Sequence, residues 1–434
     1  MLDHAPSNTV TTRSPTLTTR HIVYLIVSAA APLSAMAGTV PLAFAFGNGA
    51  GVPAAFVLTG LVLLCFSAGY AVIARRTGGH GGFYSAAMEG LGRPMSVVSG
   101  YVAVAAYNLA TIGLLGAFGY FTSLALADHG AHLTWWVCAL AGAAAVGWLG
   151  YREIGSGART VAVMMVGELA ILCALDVAVV VRDGIPSALP AASFAPHEVF
   201  GPGFGVSVMF AAISFIGFES AALYGKEARD PRRSVVRATY VAVALITVFY
   251  ALTSWIAVGA LGVGEVREEA GRQLGGLFFA LTDTYLGSAA ATGMQIMLCT
   301  SLFAATLALH SAANRYAQTL AGDRLLPAPL AESHPRHASP YRAGLVQTAL
   351  NVAAVAGFAL AGRDPYTGMT TTMLGLGTLG IVALQAAAAL SVVRVSRRFA
   401  GVSWQRFAAA ILSFAGLTVA LWLGIDNFAL LTGS

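Results

Sequence analysis

The chain has 434 residues, of which 57% are hydrophobic and only 10% charged, where a soluble domain carries about 25% charged residues; mean hydropathy is +0.74. That balance excludes a soluble or disordered chain and implies a polytopic membrane protein. The formal charge of +5 gathers on no basic soluble face, so nucleic acid is not expected as a partner.

Residues 1–20 read as a polar, Ser- and Thr-rich cytoplasmic tail. The apolar run after Arg20 is longer than a signal peptide's and lacks a cleavage site, so it reads as a retained span. Runs near the ~20 residues needed to cross a bilayer then follow at about 21–47, 51–74, 95–126, 132–150, 157–181, 205–225, 236–262, 276–311, 342–362, 367–393 and 404–425, eleven in all. Alternation of period 2 is absent, which argues against a barrel and for an all-α bundle. With the N-terminus inside, only Arg182, Arg267, Arg272 and Arg363 of the 24 basic residues fall in outer loops. This positive-inside bias orients the chain as a multi-pass protein of the cell membrane, surrounded by lipid, with a cytoplasmic N-terminus. The piece RTGGHGGFYSAAMEGLGR, 76–93, reads as an interfacial helix with Phe83, Tyr84 and Met88 toward bilayer or bundle.

Two spans carry weak points. AAPLSAMAGTVP, 30–41, brings Pro32, Gly38 and Pro41 into mid-membrane, where proline removes a backbone donor and glycine weakens a helix. SFIGFE places Gly217 in a similar position in the sixth span. Five spans separate them, and interrupted helices in corresponding positions point to an inverted-repeat transporter whose unwound backbone forms the binding site. Glycine packing between membrane helices is the alternative. Cys65, Cys138, Cys173 and Cys299 lie within spans without metal-like spacing and read as packing residues. No H-E-x-x-H or G-x-S-x-G occurs, so no enzyme, metal or cofactor is expected.

Three segments resemble one family. SFIGFESAALYGKEARDPRRSVVRAT, 214–239, is similar to the sixth helix and following loop of the amino acid–polyamine–organocation (APC) permeases. GGHGGFYSAAMEGLGRPMSVVSGY, 78–101, is similar to their loop between the second and third spans, and NRYAQTLAGDRLLP, 314–327, to the segment leaving the eighth. The chain is thereby identified as similar to an actinobacterial-type amino acid permease. The resemblance implies a LeuT-like inverted repeat: a first five-helix unit at 21–182, an inverted second at 205–394 and an extra helix at 404–425. It implies transport of amino acids or related amines by alternating access, coupled to protons, to sodium or to exchange. Proton symport is preferred; a non-transporting sensor remains the reading from another class. By position, Ser34, Ala35, Met36, Ala37 and Gly38 would offer backbone amides to a substrate carboxylate. Ile213, Ser214, Phe215, Ile216 and Gly217 would offer carbonyls to its amine, a division that suits the helix dipoles. The first-helix SAMAG departs from the Gly-Ser-Gly of many relatives. Relatives commonly have twelve spans, and DNFALLTGS reads as the outer end of the eleventh.

The remaining candidates are polar groups in apolar surroundings. Glu219 reads either as a cap on exposed amides or as a gating, proton-linked carboxylate. Glu168 takes the place where proton-coupled relatives often have a lysine; it reads as a coupling carboxyl or as a protonated interhelical bond. Asp176 and Asp283 read as lying near the outer interface, without a mechanism. Thr300, Ser301 and Thr306 could ligate sodium or bond their own helix. Tyr107 and Asn108 could line the cavity or pack. His310 reads as an interface histidine. The basic cluster Lys226, Arg229, Arg232 and Arg233 reads as a solvated cytoplasmic loop.

Overall fold

A computed structural model describes residues 18–77, 82–152, 158–219, 234–337, 339–398 and 403–429. Lys226, Arg229, Arg232 and Arg233 lie outside these. The described residues are helical, with no strand among them. Among the described residues, nine helical segments are long and apolar enough to cross a membrane: Thr19–Phe46, Gly49–Tyr70, Arg93–Asp128, Val163–Asp183, Val236–Leu261, Ser288–Gly322, Tyr341–Leu360, Pro365–Arg397 and Trp404–Asp426.

In chain order, α1 (Thr19–Ala29) and α2 (Pro32–Phe46) form one interrupted segment. They are followed by α3 (Val52–Thr77), the short α4 (Gly82–Leu91), α5 (Arg93–Asp128), α6 (Trp135–Arg152) and α7 (Ala158–Asp183). Single-turn helices α8 (Ile185–Ala188) and α9 (Pro196–Val199) lead into α10 (Phe204–Ser214). Then come α11 (Val236–Leu261), α12 (Val266–Gln273), α13 (Leu277–Leu286), α14 (Ser288–Gly322), α15 (Tyr341–Leu360), α16 (Thr371–Arg398) and α17 (Trp404–Asp426). The two interrupted segments occupy the middle of the bundle: α2 packs on α10, α1 on α11 and α7, while α5 runs between α14 and α16. Thirteen of the fifteen residues of α2, from Pro32 to Phe44, are buried, as an apolar helix inside a bundle must be.

The eighth span departs from the expected 276–311. Gly287, at φ +90°, turns the chain between α13 and α14, so the membrane helix begins at Ser288 and runs on through NRYAQTLAG to Gly322. Residues 277–286 instead form a separate helix, with Asp283 exposed on it. Their composition hid this, because α13 buries Leu277, Phe278 and Phe279 against neighbours as a span would. On α4, Phe83 and Tyr84 face the bundle and Met88 is exposed.

At the α2 and α10 ends, Arg267 of α12 donates to the carbonyls of Gly47 and Pro202. It thus ties the end of α2 to the start of α10. Beside it, Ser207 donates to Asn48 Oδ1 at 2.6 Å, and Asn48 Nδ2 reaches the carbonyls of Glu198 and Val199 at 3.0 and 2.8 Å.

Candidate functional site

The first break is confined to Ala30 and Ala31. Ala31 takes φ 45° and ψ 71°, a left-handed conformation unusual for a residue with a Cβ, and Pro32 opens α2 at a position where its missing N–H is no loss. The Ala30 carbonyl, exposed by the break, accepts a bond from Tyr250 Oη at 3.1 Å. The break precedes the segment assigned to amides: Met36, Ala37 and Gly38 lie within regular helix, where their N–H groups face back into the turn. Pro41 sits inside α2 without ending it.

The first amide of α2 has a partner. Leu33 N donates to Glu168 Oε2 of α7 at 3.3 Å, and Ser34 Oγ donates to Ser301 Oγ of α14 at 2.9 Å. Glu168 is buried, so a side chain from the fifth predicted span occupies the positive end of a half-helix. Thr300 and Thr306 bond the carbonyls of Met297 and Leu302 on their own helix.

The second break centres on Gly217, at φ +109°. A Cβ there would lie 2.5 Å from the Ala29 carbonyl oxygen, so the two interrupted segments touch backbone to backbone. Gly217 N donates to Glu219 Oε2 at 3.0 Å, and Tyr107 Oη donates to Glu219 Oε1 at 2.9 Å. Tyr107 stacks on Tyr316, with centroids 5.5 Å apart, and Tyr316 Oη accepts from Phe83 N of α4 at 3.2 Å. Next to that contact, Tyr84 Oη donates to Asp323 at 2.6 Å; burial and the Asp323 carboxylate push the Tyr84 phenol above its ordinary pKa.

Between the breaks lies a cavity of about 50 Å³, walled by Ala30, Ala31, Ser34, Ala35, Gly38, Ile213, Ser214 and Ile216 together with residues of α5, α14 and α16. That is under two waters' share of liquid volume, at ~30 Å³ each, so the site is contracted. Of the predicted residues, Ser34, Ala35, Gly38, Ile213, Ser214 and Ile216 come together here. Met36 and Ala37 are absent from the wall. Phe215 packs on Phe56 and Tyr250, and Gly217 lies against Ala29. Tyr107 is also absent: on α5 it lies seven residues before Leu114, about 10 Å along the axis from the part that lines the cavity. Asn108 turns to the Val104 carbonyl at 2.7 Å.

The amino acid permease family matches residues 17–430. The chain belongs to that family. Among curated relatives, an uncharacterized transporter of Mycobacterium tuberculosis is 26% identical over 328 residues, 74% of this chain and 68% of the relative. A branched-chain amino acid permease of Bacillus subtilis is 24% identical over 327 residues, 68% of this chain and 64% of the relative.

Three features of this permease escaped the sequence reading. Tyr250 bonds the first break at Ala30, Tyr366 donates to the Gly38 carbonyl within α2 at 3.1 Å, and Tyr316 backs Tyr107, the partner of Glu219, all from distant helices. Asp176 accepts from Thr253 of α11 at 2.7 Å. A second, apolar cavity of about 420 Å³ lies behind Glu168, among Ser28, Phe118, Met164, Met165 and Ser301. Tyrosines inside apolar runs were the available signal, since a buried phenol needs a partner.

Proposed function

We propose that this permease is a secondary active transporter that moves amino acids by alternating access in symport with protons. Eleven crossings arranged as two inverted five-helix units fit it, α6 and the interrupted α10 being the two beyond the nine long apolar segments. The N-terminus is cytoplasmic, which puts Arg267 outside and Glu219 toward the inside. The observation that carries the reading is the bond from Leu33 N to Glu168 Oε2.

A half-helix N-terminus attracts an anion, and Glu168 supplies one from within. A substrate carboxylate has the same chemistry and competes for the same amides, those of Leu33 and Ser34 at the mouth of α2. A proton taken up by Glu168 removes the rival charge and weakens its hold on the Leu33 amide, so that a charged substrate carboxylate wins the site. Loss of that proton restores the competitor and expels the substrate. Proton and amino acid are therefore carried together. The carbonyls around Ile213, Ser214 and Ile216 face the amine, and Gly38, Ala35 and Ser34 leave room for it. The cavity is contracted here, so substrate entry requires the two breaks to part.

The test is uptake of amino acids into proteoliposomes under an imposed proton gradient, wild type against Glu168→Gln. Glutamine keeps the size and an acceptor for Leu33 N but cannot be neutralised by a proton. Gradient-driven accumulation should vanish while exchange of labelled for unlabelled amino acid continues. Accumulation by Glu168→Gln at the wild-type level would sink the coupling role. Absence of any amino acid uptake or exchange by wild type would sink the function itself.

A further inference from the structure

A group of polar side chains lies apart from the breaks, where α6, α14 and α15 meet. His310 and Asn314 stand four residues apart on α14, and Gln347 and Asn351 four apart on α15, so each pair shares a helix face. Gly344 belongs to the same stripe as Gln347. A Cβ at Gly344 would lie 3.3 Å from Asn314 Nδ2 and 3.8 Å from His310 Nε2, and one at Gly150 of α6 would lie 3.1 Å from the same Nε2. The imidazole is therefore held between two glycines of different helices.

These side chains are sealed from the surroundings: His310 is 0% exposed, Asn351 1%, Gln347 4% and Asn314 4%. Both ring nitrogens of His310, both amide atoms of Gln347 and Asn351 Oδ1 have no hydrogen-bond partner among the described residues. Five orphaned polar atoms, spread over about two turns of the α14–α15 seam within a lipid-embedded bundle, are strongly unfavourable. Their chemistry identifies what relieves them. A neutral imidazole offers one donor and one acceptor, the Gln347 amide offers both kinds, and Asn351 Oδ1 accepts. A cation would use the acceptors and strand the donors, and an anion would do the reverse. Water satisfies both.

We propose that the His310–Asn314–Gln347–Asn351 group is an internal water site that joins α14 to α6 and α15. The waters bridge side chains that do not meet directly, as buried waters do elsewhere in proteins. They also keep a titratable histidine hydrated on the helix whose Leu302, Ala305 and Leu309 wall the break cavity. The inference is independent of Glu168 and of the substrate.

The test is radiolytic hydroxyl labelling of the full-length protein in detergent with ¹⁸O-water, read by mass spectrometry. Bound water near a side chain labels it even where bulk solvent does not reach. His310 itself should be modified well above the equally buried Val40–Phe44 of α2. The double variant Gln347→Leu, Asn351→Leu, which leaves the labelled histidine in place, should lose that label while eluting as wild type on gel filtration. If the double variant does not fold, Gln347→Leu alone should lower the label at least twofold. An unmodified wild-type His310 would mean that the side chains satisfy one another in a dry core and would overturn the proposal. So would a label unchanged in the variant.

Discussion

Gly217→Ala tests whether the two helix breaks touch. Two effects add at this position. The backbone φ of +109° is one that residues with a Cβ rarely adopt, worth about 1–2 kcal/mol by analogy with left-handed residues. The new methyl would also stand 2.5 Å from the Ala29 carbonyl oxygen and 2.8 Å from its carbon, a backbone neighbour that cannot swing away. Relief requires the end of α1 to retreat, at roughly the 1–3 kcal/mol typical of overpacking. The sum is about 2–5 kcal/mol, which for a chain of 434 residues corresponds to a fall of roughly 2–5 °C in apparent melting temperature. Two other glycines separate the terms. Gly130 has φ +82° with nothing within 4 Å, so Gly130→Ala should show only the conformational part. Gly293 lies inside α14, also with nothing within 4 Å, so Gly293→Ala should stabilise by about 0.5–1 kcal/mol through helix propensity. Melting in detergent, followed by intrinsic fluorescence, ranks the three. If Gly217→Ala melts no lower than Gly130→Ala, the contact between the breaks is wrong.

Two further predictions concern the ends of the site, each read through a Ser214→Cys reporter in a background with the four native cysteines replaced. Arg267→Ala removes the ties to Gly47 and Pro202; discounted for exposure at about 1 kcal/mol, this should raise labelling by an impermeant thiol reagent from the Arg267 side about fivefold, and no change would show that Arg267 does not hold that end shut. Tyr107→Phe deletes the donor to Glu219 Oε1, a bond to a carboxyl group worth about 1.5–3 kcal/mol; labelling from the opposite side should rise tenfold or more, and Glu219→Ala should then add little because the pair acts as one unit.

How much of this was legible depends on whether a feature is local. Gly217 could be read because the required φ leaves few other residues. Pro32 could be read as well, since proline favours the first helical position, yet Gly38 and Pro41 drew attention into a stretch that remains helical. A Cβ at Gly38 would make only an ordinary contact, with Phe121 at 3.9 Å, and Tyr366 bonds its carbonyl, so its glycine marks neither a break nor a crowded crossing. The α13–α14 boundary was invisible because one glycine makes it and both sides are apolar. The cap from Glu219 to Gly217 is local and could be read; the partners of Glu168 and Ala30, and Tyr107 as the second partner of Glu219, were invisible because they come from other helices, and no spacing rule reaches across the fold. The same holds for His310, whose surroundings on α6 and α15 turn a lone histidine into one member of a polar group.

The two carboxylates that cap the breaks differ in a way that decides their roles. Glu219 bonds the amide of Gly217, two residues away, so it moves with its own break and can stay bonded to it through any rearrangement of helices. Only its second bond, from Tyr107 of α5, must break when that end opens. Glu168 bonds Leu33 across 135 residues of sequence, from α7 to α2, so any separation of those helices removes it from the amide. A carboxylate that must leave its partner during the cycle is sensitive to its own charge at that step, whereas one that keeps its partner is not. In the proposed symport, proton dependence is therefore assigned to Glu168, and Glu219 to a cap whose tyrosine partner is the latch. On this reasoning Glu219→Gln alters how readily the inner end opens while leaving the response to a proton gradient intact, the reverse of Glu168→Gln.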